Sequence, residues 1–391
     1  MLGRMLFPPA WALYLLASSM VVVQAQEYKK TPPGIPITHY AAQTNIFVGA
    51  PSMVILPNGD YIASHDLFGK GVRTDLTLLY LSKDRGDTWS YLSEVKNQRG
   101  SKLFVHREYL YLVGTNRNFG KLVIRRSADG GLSWTEPSNV RTGILLDGNY
   151  HTSPVPVLVH NGRIYWTLEE QAAQTPRSGF QPFIISASVN ANLLHAESWR
   201  TSNRAPYQRE WGGMAWTEGS LVPSPTGSLV NILRHHHPSG NQACMMFASP
   251  DGSLTRFDPQ VGYINFPGGG QRFTIRYDPK SQMYWALTNA IPKKYATWPA
   301  NRVRNTLTLM ASRDLRNWEI RSVLLYESDP RVTGFQQADW YFDRGDIVAV
   351  IQTAFDDGVG GPAQPHYANF LTFHRFKNFA RSKGNLQGLR F

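Results

Sequence analysis

A few side chains of this 391-residue sequence have the makings of an acid, a base or an anion clamp. His65-Asp66 sets an imidazole beside a carboxylate. Glu218 and Arg234 bracket the apolar run Gly219-Ser-Leu-Val-Pro-Ser-Pro-Thr-Gly-Ser-Leu-Val-Asn-Ile-Leu233. Arg234-His235-His236-His237 is a cationic cluster, and His151 stands alone. Imidazoles exchange protons near neutral pH, and arginines grip carboxylates in pairs of charge-assisted bonds. Each has a competing structural reading: a hydrogen-bonded histidine, or an ion pair between Glu218 and Arg234. Three consecutive histidines on a strand point to alternating sides, so they do not all meet one metal. No metal or cofactor is expected.

Such groups act only if the chain brings them together, and the sequence is written in hairpins. MVILPNGDYIASHD turns at Asn58-Gly59, a strong hairpin signal. Similar pairs of apolar runs turn at Arg107, at Asn161-Gly162, at Gly227, near Lys280 and at Gly345. Little between them reads as a long amphipathic helix. Units of about four strands repeating roughly every 50 residues predict an all-β fold, a six-bladed β-propeller of four-stranded antiparallel blades. The last strand, Phe370–Phe376, needs a partner, and the segment from His39 to Phe47 is expected to close the ring with it.

Two further stretches share one phrase. SKDRGDTW begins at Ser82 and SADGGLSW at Ser127, both Ser-x-Asp-x-Gly-x-(Ser/Thr)-Trp. Degenerate copies begin at Ser249 and Ser312. Ser and Asp side chains bond their own turn backbone, Gly86 and Gly131 permit positive φ, and Trp89 and Trp134 pack between blades. These residues are assigned structure rather than chemistry.

In a propeller, the start of each hairpin's first strand and the end of its second lie on one face. Those positions include Gly49-Ala50, His151-Thr152, Thr217-Glu218, Gln271-Arg272 and Gln336-Gln337, with His65-Asp66, Glu169-Glu170 and Arg234-His235 from the returning strands. Polar and ionisable groups crowd this ring.

The rest of the sequence sets the context. Hydrophobic residues make up 42% and charged residues 17%, with 33 Gly and 25 Pro spread along the chain. That suits a large, turn-rich core. Residues 1–25 read as a secretory signal peptide: basic Arg4, an apolar run from Ala10 to Val23, and a small-x-small site at Val23-Gln24-Ala25. A membrane anchor is the competing reading, but the run is short for a span. Residues 26–41 are read as an N-terminal extension, 42–379 as the propeller and 380–391 as a tail. Cys244 is the single cysteine, which excludes an internal disulfide and suits a secreted or periplasmic bacterial protein. The net charge of +12 carries no Lys/Arg-rich run, so no nucleic-acid arm is expected, and no membrane contact once the leader is removed. Scattered positive charge suits an anionic glycan as partner. A monomer is expected.

The repeated phrase resembles the Asp box, and six hairpin units carrying it resemble the sialidase superfamily of six-bladed propellers. The resemblance covers roughly Ala42 to Phe379. It implies an exo-glycosidase acting on a terminal sugar of an anionic glycan. Glu218 to Arg234 looks like the family's hairpin that opens on Glu and closes on Arg. Arg304 is similar in placement to another clamp arginine, and Asp66 to the acid/base. The resemblance implies Asp66 and Glu218 as catalytic groups and Arg234 and Arg304 as clamp; the residue types and ring positions themselves add His65 and His151 as catalytic candidates and His235 and Arg272 as substrate contacts.

The sequence also departs from that family. Where the first clamp arginine belongs it reads Val48-Gly49-Ala50-Pro51. Where the nucleophilic tyrosine belongs it reads Gly334-Phe335-Gln336-Gln337, with Tyr341 nearby in a predicted strand. A polysaccharide lyase acting beside a uronate carboxylate, and a glycan-binding propeller without catalysis, are therefore rival readings.

Overall fold

The structure is a computed structural model and describes residues 28–172 and 179–391. The expected signal peptide lies outside the described residues. Among these, no helix is long and apolar enough to cross a membrane. Strands are numbered here in chain order.

The first hairpin sheet is β2 (Phe47–Ile55), β3 (Tyr61–Phe68), β4 (Leu76–Ser82) and β5 (Ser90–Lys96), paired in that order; β1 (Ile35–His39) precedes it in the chain. An eight-stranded sheet follows. It holds β6 (Arg99–His106), β7 (Tyr109–Thr115), β8 (Gly120–Ser127) and β9 (Ile144–His151). It continues with β10 (Leu158–His160), β11 (Arg163–Gln171), β12 (Phe180–Ser188) and β13 (Trp199–Thr201). The next sheet has five strands: β14 (Trp216–Pro223), β15 (Leu229–His235), β16 (Gln242–Ala248), β17 (Thr255–Arg256) and β18 (Tyr263–Asn265). Then come β19 (Thr274–Asp278), β20 (Met283–Thr288), β21 (Thr306–Ser312) and β22 (Glu319–Tyr326). The last sheet orders β1 beside β25 (Phe370–Phe376), then β24 (Asp346–Ala354) and β23 (Gly334–Asp343).

Hydrophobic clusters join these sheets into a closed ring. Val54 and Ile62 meet Leu103 and Leu110 at the first join. Tyr165 and Ile184 meet Leu221 and Leu229 at the next. Val222 and Val230 meet Ile275 and Tyr284, and Trp285 and Leu309 meet Trp340 and Ala349. Val48 and Met53 close the circle against Val348 and Phe373. A further cluster packs Tyr111 and Ile124 on Trp166 and Ile185, between the halves of the eight-stranded sheet. The fold is an all-β propeller.

All six hairpins read from the sequence are present, but the described residues form five hydrogen-bonded sheets rather than six of four strands. Three have four strands, one has five and one has eight. The end of β9 pairs with β11 through His151↔Glu169 and Tyr150↔Glu170, which fuses two groups of four strands. Pro154 and Pro156 follow, and neither has an N–H to continue the ladder, so pairing to β11 resumes only at Leu158. The ring also closes differently from expectation. The strand that completes the last sheet is Ile35–His39, not the stretch from His39 to Phe47, and it lies inside the segment read as an extension. The C-terminal tail is docked: the Val323 amide bonds the Asn385 carbonyl and the Lys293 amide the Arg390 carbonyl, each at 2.8 Å.

The repeated phrase folds alike in both full copies. Ser82 Oγ donates to Asp84 at 2.8 Å, Asp84 accepts the Thr88 amide at 2.9 Å, and Trp89 Nε1 donates to the Gly86 carbonyl at 3.1 Å. Ser127, Asp129, Ser133, Gly131 and Trp134 repeat these bonds. In the degenerate copy at Ser312, Leu315 adopts φ +65° where the full copies have glycine, and Trp318 Nε1 still donates to its carbonyl.

Candidate functional site

Four inner strands carry the same irregularity near one mouth of the ring. The register of β2 slips between Gly49 and Ser52, of β6 between Arg99 and Lys102, of β14 between Thr217 and Ser220, and of β23 between Gln336 and Asp339. Each bulge holds one residue at positive φ: Ala50 (+45°), Gly100 (+58°), Glu218 (+57°) and Gln337 (+54°). A bulge re-aims a side chain that regular pleating would turn away. All four residues line one cavity of about 1070 Å³. Just past three of the bulges, side-chain oxygens stitch neighbouring inner strands together. Ser52 Oγ accepts the Leu103 amide, Ser220 Oγ the Ile275 amide and Asp339 Oδ2 the Met53 amide.

Glu218 lines the cavity from the β14 bulge. A residue other than glycine in left-handed backbone costs roughly 1–2 kcal/mol, so its neighbours must hold it there. Its amide donates to Glu169 Oε1 at 2.7 Å. Its Oε1 accepts from Ser153 Oγ and its Oε2 from Arg234 Nη1, both at 2.7 Å. Burial would raise its carboxyl, but the Arg234, His151 and Arg272 charges prevail and hold it well below the usual carboxylate range.

Asp66 lines the same cavity from the end of β3. Its Oδ1 accepts from Thr77 Oγ1 at 2.7 Å and its Oδ2 from the Gly100 amide at 2.6 Å. Gly100 is required at this point, because a Cβ there would lie 2.4 Å from the Thr152 carbonyl oxygen. Burial is the largest influence on Asp66 and pushes its carboxyl up to about 6, against the opposing pull of Arg99. Two carboxyls in one cavity are thus driven in opposite directions.

His151, Arg234 and Arg304 also line the cavity. His151 Nδ1 lies 2.6 Å from Glu169 Oε2. Burial pulls this imidazole down, but the Glu169 hydrogen bond and charge outweigh it and leave it raised. Arg234 Nε donates to the Gly270 carbonyl at 2.9 Å. Arg304 Nε donates to the Asn301 carbonyl at 2.9 Å, and its Nη1 bonds the side-chain oxygen of Gln336. Those partners are neutral. Burial, and then the like charge of Arg234, lower Arg304 to about 9, so it remains a cation at neutral pH.

Three residues named from the sequence are elsewhere. His65 is fully buried, stacked on Tyr80 and bonded through Nδ1 to the Asp66 carbonyl; burial lowers its imidazole to about 4. His235 is buried on the outer side of its strand, with Nδ1 2.8 Å from Gln242 and Nε2 3.1 Å from the Gly212 carbonyl. Strand alternation gives the cavity His236 instead, whose Nε2 lies 2.8 Å from Thr217 Oγ1. Arg272 does not line the cavity. Its Nη2 bonds the Gln337 carbonyl, and it feels the charges of Glu218, Asp339 and Asp66. Phe335 is fully buried in β23, and Tyr341 lies further along that strand, with the Arg276 guanidinium 3.9 Å over its ring, outside the cavity lining.

Sequence reasoning missed Arg99 and Glu169 as parts of the site. Arg99 lines the cavity beside Asp66, and its Nη1 donates to the Thr74 carbonyl at 2.7 Å. It stands just before the β6 bulge, a position recognisable only once Gly100 is seen to be left-handed. Glu169 stands on the ring of strand ends, where its residue type alone assigns it no role.

No family model matches this chain, and no curated protein matches it. Solved structures do. A Penicillium chrysogenum α-L-arabinanase complexed with arabinobiose superposes with a TM-score of 0.56 at 12% identity, covering 90% of this chain and 99% of the other. The GH93 α-L-arabinofuranosidase of Fusarium graminearum with arabinobiose gives 0.57 at 12%, covering 89% and 97%. The Trypanosoma rangeli sialidase in complex with sialic acid gives 0.56 at 12%, covering 90% of this chain and 58% of that one. At these identities the likeness is one of architecture: this chain has the β-propeller fold seen in sialidases and in α-L-arabinanases.

Proposed function

We propose that this protein is an exported exo-glycosidase that removes a terminal sugar from an anionic glycan. In this reading the eight-stranded sheet supplies two blades, six in all, residues 1–25 are the export signal, and the mature protein works as a monomer outside the cytoplasm. The observation that carries it is the pair Asp66 and Glu218 in one cavity. Environments that drive two carboxyls apart define an acid and a base. Asp66, raised to about 6, keeps a proton for the leaving glycosidic oxygen as the bond to the anomeric carbon breaks. Glu218 stays ionised and supplies the electron pair, as nucleophile or as base toward a water. A carboxylate in that role needs no phenol at Phe335. Arg304, a cation with neutral partners, together with Arg99 and Arg234, suits a carboxylate or sulfate on the sugar.

Fold likeness to arabinan- and sialic-acid-processing proteins supports sugar chemistry without selecting the sugar. The test is a screen of sialylated, uronate-rich, sulfated and arabinose-terminated glycans, with Asp66→Asn and Glu218→Gln as controls. Release of an intact sugar, lost in both variants, is expected. An unsaturated product absorbing in the ultraviolet would replace the hydrolase with a lyase, and binding without turnover would leave a lectin-like propeller.

A further inference from the structure

Glu169 is 1% exposed and lies just behind the cavity wall, where no role in the proposed hydrolysis reaches it. Both of its oxygens are engaged, and by different sheets. Oε2 is 2.6 Å from His151 Nδ1 in its own sheet, and Oε1 accepts the Glu218 amide at 2.7 Å from the next. The amide bond is made at the residue whose φ is +57°. The imidazole bond leaves Nε2 as the ring nitrogen for the cavity that His151 lines.

We propose that Glu169 is the positioning residue of this cavity: one buried carboxylate that sets both the proton placement of His151 and the left-handed backbone of Glu218. The proposal rests on the functional reading only in taking Glu218 as the reacting carboxylate. Its core is hydrogen-bond arithmetic. The Glu218 amide is a fixed donor to Oε1; burial raises the Glu169 carboxyl, while the His151 and Glu218 bonds favour its ionised form, in which Oε2 accepts a proton held on His151 Nδ1. An ionised carboxylate accepts at both oxygens, whereas an amide accepts at one and turns a donor toward the other partner. A buried N–H left facing a donor loses its bond and its water together. Glu169 favours the His151 proton on Nδ1; protonation then adds a second N–H at Nε2, on the ring that lines the cavity.

The titratable and charged groups around His151 are Glu169 in its own sheet and Glu218, Arg234 and His236 across the join, His236 being held neutral by burial, with the Phe119 and Phe180 rings 6.5 and 5.0 Å away. Glu169 is the only one of the carboxylates bonded to the imidazole. Without it, burial and Arg234 pull the imidazole down.

The experiment is a pH titration of the histidine ring nitrogens by NMR on uniformly ¹⁵N-labelled protein, with His151 assigned from His151→Gln. Wild-type His151 should titrate above 6.5 and carry its neutral-form proton on Nδ1. In Glu169→Gln its midpoint should fall by about one pH unit or more. Turnover should fall roughly 10²-fold with a smaller change in KM. Should Glu169→Gln not fold, the wild-type titration still decides. A wild-type His151 that titrates at or below 6.5, or that holds its proton on Nε2, overturns the proposal. So does a folded Glu169→Gln with an unmoved midpoint. Absence of turnover on every glycan, with the titration as expected, would sink the hydrolase reading and leave the positioning role standing.

Discussion

Arg234 stands opposite Thr217 in the β14–β15 register, yet its Nη1 bonds Glu218 Oε2 at 2.7 Å. Consecutive residues on a regular strand face opposite sides. Here Thr217 and Glu218 both line the cavity, because the bulge rotates Glu218 to the face it would otherwise leave.

Arg234→Ala should abolish turnover and destabilise the fold by about 3–5 kcal/mol at neutral pH, the cost of stranding one partner of a buried pair. The pH dependence has a definite sign. Glu218's folded carboxyl lies below its unfolded value of 4.5, so its stabilising effect is present above pH 4.5 and is lost as pH falls through the depressed value. In Arg234→Ala that carboxyl rises. The gap in melting temperature between the two proteins should therefore narrow below pH 4.5 across a series from pH 8 to pH 3. A constant difference across that range would mean that the ion pair does not set Glu218's charge.

Asp66 behaves oppositely. Its folded carboxyl is raised from 3.8 to about 6, so the native state is favoured below pH 3.8 and loses that advantage as pH rises to about 6. The loss is about 3 kcal/mol, an order-of-magnitude figure. Stability measured from pH 3.5 to 7 should show this fall, and Asp66→Asn should flatten it. As the proton donor, Asp66 should also impose a decline in wild-type kcat above pH 6.

Gly86 and Gly130 distinguish packing from backbone strain. A Cβ on Gly86 would lie 2.1 Å from Cε1 of Phe373, on the strand that closes the ring, whereas one on Gly130 meets nothing within 4 Å. Both have positive φ. Gly130→Ala should cost about 1 kcal/mol, the left-handed penalty alone. Gly86→Ala should cost more, by roughly 1–3 kcal/mol of overpacking. Equal denaturation midpoints would show that the turn carries no load at the ring closure.

Trp89 packs on Phe373 at 5.5 Å and Trp134 on the Val54–Leu112 cluster, each half-buried and bonded to its own turn. Alanine at either position should lower stability, at or below the low end of about 3–5 kcal/mol, without changing KM. A variant that melts normally but binds glycan poorly would move these residues from structure to recognition.

Ordinary aryl sialosides should be poor substrates. Gly49 and Ala50 put no guanidinium at the first clamp position, and Phe335 is a buried hydrocarbon. One missing charge-assisted bond removes roughly 1.5–3 kcal/mol of hold on a carboxylate. Turnover at ordinary enzymatic rates, on the order of 1–10³ per second, would show that another group replaces both.

Local chemistry wrote much of this protein into its sequence. Asn58-Gly59, Asn161-Gly162 and Gly345 form hairpin turns because their backbones tolerate positive φ, and the Ser-x-Asp phrase closes on its own amides; neither needs a distant partner. Hairpin ends also point to Asp66, Glu218 and Arg234, since returning strands must reach the face they left, whereas Arg304 rests on the family resemblance alone. What tertiary structure decided was orientation. Alternation by one residue buries His235 outward and presents His236, while the bulges turn both Arg99 and Gly100, and both Thr217 and Glu218, to the one cavity. Pairing of the end of β9 with β11 merges two groups of strands that their turns describe as separate, and Pro154 and Pro156 interrupt that ladder. Glu169 shows the limit most plainly. Its two partners, His151 and Glu218, come from different sheets, and only packing of one sheet against the next makes a buried carboxylate the hinge between them.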